Sequence, residues 1–329
     1  MVSRTATRLR KERMETPLPT LIEMFLADKR TEGKSPATVA WYQDKLGRFA
    51  SYCGELKLNE LSVEQAKAFI QSLQQKQSLF ADHPYRPEAN HGLSTHTIHG
   101  YVRSLKVFSS WLRDEEFTQV DIFERLKRPR VSQPVIEVLT ESEVSRIFDS
   151  INPNCLMGAR LYLIVLLLYD TGMRASELCN INQEDVYLED DQIKVLGKGN
   201  KERYVPFSAK TKKALIRYMN TWRPEPAEKT DRLILTDDGY PLSNGALLQI
   251  IKRLAKRCGI PRLHPHLFRH SFSVSYLVNG GDLQSLRLIL GHTDISVTQM
   301  YLRLTNVQVK AQHAKFSPVD RLNIKRRKP

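Results

Sequence analysis

The sequence lacks any apolar run long enough to cross a bilayer. Its most apolar stretch, residues 161–169, falls far short of the roughly 20 residues a spanning helix needs. That removes helical membrane proteins from consideration. Cysteine is scarce, with four in 329 residues. Cys53, Cys155, Cys179 and Cys258 are scattered without a CxxC pair, which argues against a disulfide scaffold or a zinc module and for buried, reduced thiols. No GxGxxG or GxxxxGK loop occurs, so the glycine-rich nucleotide cradles are absent, and no internal repeat is found. The first ten residues hold three arginines with no apolar run behind them. They do not form a secretory signal, and a cytoplasmic location is expected. Acidic residues are also short, with 36 Asp and Glu against 50 Lys and Arg, a formal net charge of +14.

That surplus predicts an acidic partner. With no membrane span or anchor, nucleic acid is expected before anionic lipid. Hydrophobic residues make up 41% of the chain, enough for real cores. The length favours two domains.

Residues 1–16 read as a flexible basic tail. Helical periodicity follows. Leu21, Ile22, Phe25 and Leu26 share one side, and Ser35-Pro36 opens a helix carrying Trp41, Tyr42, Leu46 and Phe49. Residues 61–73 form a third segment. Ser94 or Thr95 opens a fourth with Tyr101, Leu105, Phe108 and Trp111. Residues 17–125 are therefore expected to be a small all-helical domain. Residues 76–92, with Pro84, Pro87, Asn90 and Gly92, interrupt it as a long connection, read as a plain excursion before a partner contact. Residues 126–138 read as a proline-containing linker. Arg125, Lys127, Arg128 and Arg130 make its start basic, which suits either a DNA contact or a solvated hinge.

The second domain opens with a Thr140–Glu143 capping box. Residues 159–169 are apolar all round and predict a buried helix ending at Thr171-Gly172. Three short antiparallel strands are expected over 186–188, 192–196 and 203–206, with residues 197–201 turning between the last two. Helices are expected over about 209–220, 243–258, 265–278, 283–290 and 296–301. The fold class is mainly α with one small antiparallel sheet.

The densest chemical cluster is His264-Pro265-His266-Leu267-Phe268-Arg269-His270. His266 and Arg269 lie one helical turn apart on one face. A guanidinium offers a planar fork to phosphate oxygens, and an imidazole can donate or move a proton near neutrality. As a zinc site the cluster is poor. No glutamate stands between His266 and His270, and Arg269 would repel a cation. An ordinary helix start with surface histidines remains the plain alternative.

Gly291-His292 has the form of a left-handed helix cap followed by a turn. Tyr301 lies nine residues on. A phenolate attacking a phosphodiester would conserve the bond as a phosphotyrosine, and the released hydroxyl could reverse the step without ATP. A phenol titrates near 10, so it needs positive neighbours. Arg174, after the Thr171-Gly172 turn, supplies a second arginine, and Glu177 one turn later could brace it or form only a surface ion pair. Two arginines and histidine donors would stabilise the added phosphate charge, so no metal or other cofactor is required. Lys198 sits at the glycine-flanked tip 197–201, where it could protonate a departing 5′ oxygen or only touch phosphate. Lys201 and Arg203 beside it are expected to contact DNA.

Four segments in this order resemble the tyrosine recombinase, or phage integrase, family, including its Xer-type members. They are DTGMRASEL at 170–178, VLGKGNKERYVPF at 195–207, HPHLFRH at 264–270 and LGHTDISVTQMY at 290–301. The resemblance covers most of residues 139–305, which it implies are the catalytic domain. Residues 17–125 are then a core-type DNA-gripping domain. It implies that Arg174 and Arg269 bind the scissile phosphate and that Lys198 is the general acid. His266 assists Tyr301, and His292 donates to the phosphate. Glu177 supports Arg174, and Tyr301 is the nucleophile of a 3′-phosphotyrosyl intermediate. It further implies a homo-tetramer on two double-stranded DNA sites, with room for an accessory DNA-bending or directionality protein. Residues 306–329 would form a carboxy-terminal segment for subunit exchange, with a basic tail. The 76–92 excursion and the amino-terminal extension depart from compact Xer-type chains. They point towards a transposon, plasmid or phage integrase. A type IB-like topoisomerase and a non-catalytic DNA-binding protein are the rival readings.

Overall fold

A computed structural model describes residues 13–78, 91–130, 136–197, 201–292 and 317. The chain divides into two compact units, Met1–Pro134 and Val135–Pro329.

The first unit is helical. Its elements are α1 (Leu18–Thr31), α2 (Pro36–Cys53), α3 (Val63–Gln75) and α4 (Thr95–Asp114). The starts are local chemistry. Ser35 Oγ accepts from the Thr38 amide at 3.3 Å, with Pro36 at the first helical position. Gln65 Oε1 accepts from the Ser62 amide at 2.7 Å, and Ser94 Oγ accepts from the Thr97 amide at 3.2 Å. The apolar faces meet around Phe25, whose ring lies edge-on to Tyr42, Phe108 and Trp111. The buried indole of Trp111 is satisfied by Asp28 Oδ2 at 2.7 Å. Leu126 still belongs to this core, one residue beyond the expected domain edge. Most of the 76–92 excursion lies outside the described residues.

The second unit begins with α5 (Glu141–Asp149), capped reciprocally by Thr140 and Glu143. Arg262 then grips Glu143 through two bonds of 2.6 and 2.9 Å. The helix α6 (Leu156–Thr171) runs through the centre, with Leu163, Ile164, Val165, Leu167 and Leu168 all at 0% exposure. A single turn, α7 (Ala175–Cys179), leads into the sheet of β1 (Val186–Tyr187), β2 (Gln192–Leu196) and β3 (Glu202–Pro206). The order is β1-β2-β3, all antiparallel, with Ile193 opposite Val205 and Val195 opposite Arg203. The helices α8 (Ala209–Arg217), α9 (Asn244–Cys258), α10 (Pro265–Val278) and α11 (Leu283–Leu290) complete it. α8 stops short of the expected end, giving way to a π-turn over Tyr218–Trp222. The helix expected over 296–301 lies outside the described residues.

Of the four cysteines, all unpaired, Cys179 and Cys258 are buried and Cys53 is half-buried. Cys155 is exposed, against expectation, because it caps the start of α6 instead of lying on a packed face. Among the described residues, no helix is long and apolar enough to cross a membrane.

Candidate active site

Two helix carboxy-termini meet in the second unit. α6 ends at Gly172 (φ 61°) and α11 at Gly291 (φ 65°), both left-handed. A Cβ on Gly172 would stand 2.3 Å from Phe272 Cδ1 and 3.0 Å from Leu290 Cδ2, so this approach requires glycine. Arg269, from the middle of α10, is 4% exposed and lies where the two ends converge. Its Nη1 donates to the Gly172 carbonyl at 2.7 Å and its Nη2 to the Leu290 carbonyl at 2.8 Å. Terminal carbonyls carry the negative end of a helix dipole, so a buried cation is stabilised there. Nη2 also lies 2.8 Å from Nε2 of His292.

Arg174 follows Gly172 by two residues and forms the amino-terminal cap of α7. Its amide donates to Glu177 Oε2 at 2.7 Å, and its Nη1 to Oε1 at 2.7 Å. Glu177 has a side chain only 2% exposed, whereas that of Arg174 is 30% exposed. Arg203 completes the carboxylate from β3, with Nη1 and Nη2 each 2.8 Å from one oxygen. Burial alone would raise the Glu177 pKa. Arg203, and then Arg174, outweigh it and hold the carboxyl at about 2. Three guanidinium groups against one carboxylate leave two net positive charges, which suits an anion.

His292, His266 and His270 are each held below the ordinary histidine range. Burial, followed by the charges of Arg269, Arg174 and Arg203, pushes His292 down to about 4. His266 lies in the first turn of α10 and is held below its ordinary value by desolvation, then by Arg269, His264 and Arg174. His270 is lowered chiefly by burial. His264 caps the helix and donates from Nδ1 to the Arg262 carbonyl at 2.6 Å. Among the described residues, no group of three His, Cys, Asp or Glu side chains is arranged to hold a metal ion.

Residues 137–307 match the Phage integrase family. The chain belongs to that family, as a tyrosine recombinase. It is 32% identical to the tyrosine recombinase XerD of Staphylococcus saprophyticus over 92% of this chain and 99% of that one. It is 30% identical to the tyrosine recombinase XerD of Listeria monocytogenes over 91% and 98%. Among solved structures it is similar to the Tn1549 transposon integrase in complex with transposon right end DNA. That likeness has a TM-score of 0.72 at 19% identity and covers 90% of this chain and 99% of that one. The XerH site-specific recombinase bound to palindromic difH substrate gives a TM-score of 0.68 at 20% identity, over 88% and 82%. Both structures support the fold.

In this phage integrase family chain, the fold brings Arg174, Glu177, Arg269 and His292 into one connected cluster. His266 senses the charges of both Arg174 and Arg269. Lys198 and Tyr301 lie outside the described residues. Arg125, Lys127, Arg128 and Arg130 are exposed in the first unit, and Lys201 is exposed at the base of the hairpin in the second. Arg203 departs from expectation. Its side chain is 12% exposed, and Nε, Nη1 and Nη2 serve the Ile289 carbonyl and the Glu177 carboxylate, so it is tied into the site beside Arg174. The signal was available in the strand alternation. Arg203 shares the inward parity of Val205 and pairs with buried Val195, whereas Glu202 and Tyr204 point out.

Proposed function

We propose that this recombinase binds double-stranded DNA in the cytoplasm and cuts and rejoins it at specific sites. Tyr301 attacks a backbone phosphorus, and its phenolic oxygen forms a 3′-phosphotyrosyl bond as the bond to the 5′ oxygen breaks. Lys198 delivers a proton to that leaving oxygen. Another strand's 5′ hydroxyl then attacks the phosphotyrosine and restores the phosphodiester, so neither ATP nor a metal is consumed. Arg174 and Arg269 hold the nonbridging oxygens. His266 assists Tyr301 by taking its phenolic proton on attack and returning it on rejoining, and His292 donates to the phosphate, since a neutral imidazole still carries one N–H. Glu177 supports Arg174. The working unit is a homo-tetramer on two sites, exchanging strands through a four-way junction, with an accessory bending or directionality protein where the site demands one.

One observation carries this reading. Arg269 is fixed between two helix ends, beside an Arg174–Glu177–Arg203 cluster with surplus positive charge. Preorganised charge of this kind lowers the barrier of a phosphoryl transfer most. The named relatives are tyrosine recombinases, which favours recombination over topoisomerase action or DNA binding alone.

The test is covalent trapping. A pool of nicked duplexes with randomised sequence is incubated with the protein in EDTA without ATP, and DNA resistant to SDS–phenol extraction is sequenced. A defined site should be recovered with wild type and nothing with Tyr301→Phe. Equal recovery with Tyr301→Phe would remove Tyr301 as nucleophile.

A further inference from the structure

Arg203 lies within reach of three separate pieces of the site. Its guanidinium meets Glu177 face to face through the two 2.8 Å bonds, and its Nε donates to the Ile289 carbonyl at 2.8 Å. Ile289 is in the last turn of α11, two residues before Gly291 and three before His292. A Cβ built on Gly291 would fall 2.9 Å from Arg203 Cδ, and one on Gly197 would fall 3.3 Å from Arg203 Nη1. Gly197 closes the base of the hairpin by donating to the Lys201 carbonyl at 2.8 Å. Thus Gly197 at the hairpin base and Gly291 beside His292 both press against this one side chain.

Charge gives the contact a consequence. Glu177 is buried and ionised, and its Oε1 accepts from both Arg174 and Arg203. With Arg174 as its sole cationic partner, the carboxylate would neutralise the arginine meant for phosphate. A second guanidinium, bidentate on the same carboxylate, takes up that negative charge and leaves Arg174 effectively cationic. Lysine cannot reproduce the arrangement, because one ammonium does not span two carboxylate oxygens and the Ile289 carbonyl together.

We infer that Arg203 is a positioning residue for strand cleavage: it offsets Glu177, so that Arg174 keeps its charge for the phosphate, and it anchors the hairpin base and the Gly291–His292 turn around that phosphate. The inference rests on the proposed phosphotyrosyl chemistry.

The experiment measures DNA affinity separately from the single-turnover rate of covalent-complex formation. It uses the full chain on the nicked site recovered by trapping, at saturating DNA. Arg203→Lys keeps the charge and should fold. It is expected to slow cleavage by about tenfold or more while changing affinity by less than about threefold. Arg203→Ala should be slower still. Adding Glu177→Gln to Arg203→Ala should recover part of the rate, because the carboxylate to be offset has gone. Wild-type cleavage by Arg203→Lys at saturating DNA would overturn the inference. So would a defect in affinity alone, which would make Arg203 a direct DNA contact. Failure of the wild-type protein to form any covalent complex would instead strike the underlying chemistry.

Discussion

Arg269 donates from Nη2 to Nε2 of His292 across 2.8 Å. A guanidinium has no lone pair to offer, so the imidazole is the acceptor and its own proton resides on Nδ1. The same arginine holds the carbonyls of Gly172 and Leu290. One side chain therefore sets the tautomer of a histidine and joins the ends of two helices.

His292 should consequently stay neutral well below the ordinary histidine range. Its folded pKa of about 4 lies under the ordinary 6.5. The neutral form is favoured by the fold, so its stabilisation is complete above 6.5 and is lost as pH falls towards 4. Nitrogen-15 NMR of the free protein should show an Nδ1–H tautomer and no titration near 6.5. A midpoint in the ordinary range would contradict the Arg269 contact.

Glu177 predicts a second, more acidic window. Its folded pKa of about 2 lies below the ordinary 4.5. It therefore stabilises the fold fully above 4.5 and progressively less as pH drops from 4.5 to about 2. Glu143 is also held at about 2, by Arg262 first, so wild type alone cannot isolate the effect. The difference between wild type and Glu177→Gln can. It should shrink on acidification through this range, as read by urea unfolding at each pH. A difference that stayed constant would mean Glu177 is not ionised against its arginines.

Replacing Arg269 should damage fold and chemistry together. Arg269→Lys cannot reach both the Gly172 and Leu290 carbonyls, leaving at least one buried acceptor without this donor, at a cost of about 1–3 kcal/mol. Cleavage should fall by about a hundredfold or more, since the guanidinium proposed to hold the phosphate is lost. A shift in the urea midpoint with unchanged slope, measured beside the trapping rate, checks both parts.

Gly172→Ala tests the meeting of the helix ends without altering a charge. The left-handed φ of 61° costs an alanine about 1–2 kcal/mol. The clash with the Phe272 ring at 2.3 Å adds about 1–3 kcal/mol of overpacking. Thermal unfolding should show a clear loss. Alanine at near wild-type stability would mean that Phe272 has room to move aside.

The local elements of this chain were legible from its residues. Proline after His264, glycine at 291, and one-sided apolar spacing place α10 and α11 where they are found, because helix starts, stops and buried faces are decided within a few residues. Alternation of Ile193, Val195 and Val205 places the sheet in the same way. The motif chemistry singled out Arg174, Glu177, Arg269 and His292, which the fold gathers. The partners of these residues were not legible. Arg269 reaches back 97 positions to Gly172, and Arg203 reaches 26 back to Glu177 and 86 forward to Ile289. Such contacts have no local period. They exist because a buried guanidinium must find acceptors for its donors, and only the packing of α6, α10, α11 and β3 around one point decides which carbonyls and which carboxylate those are.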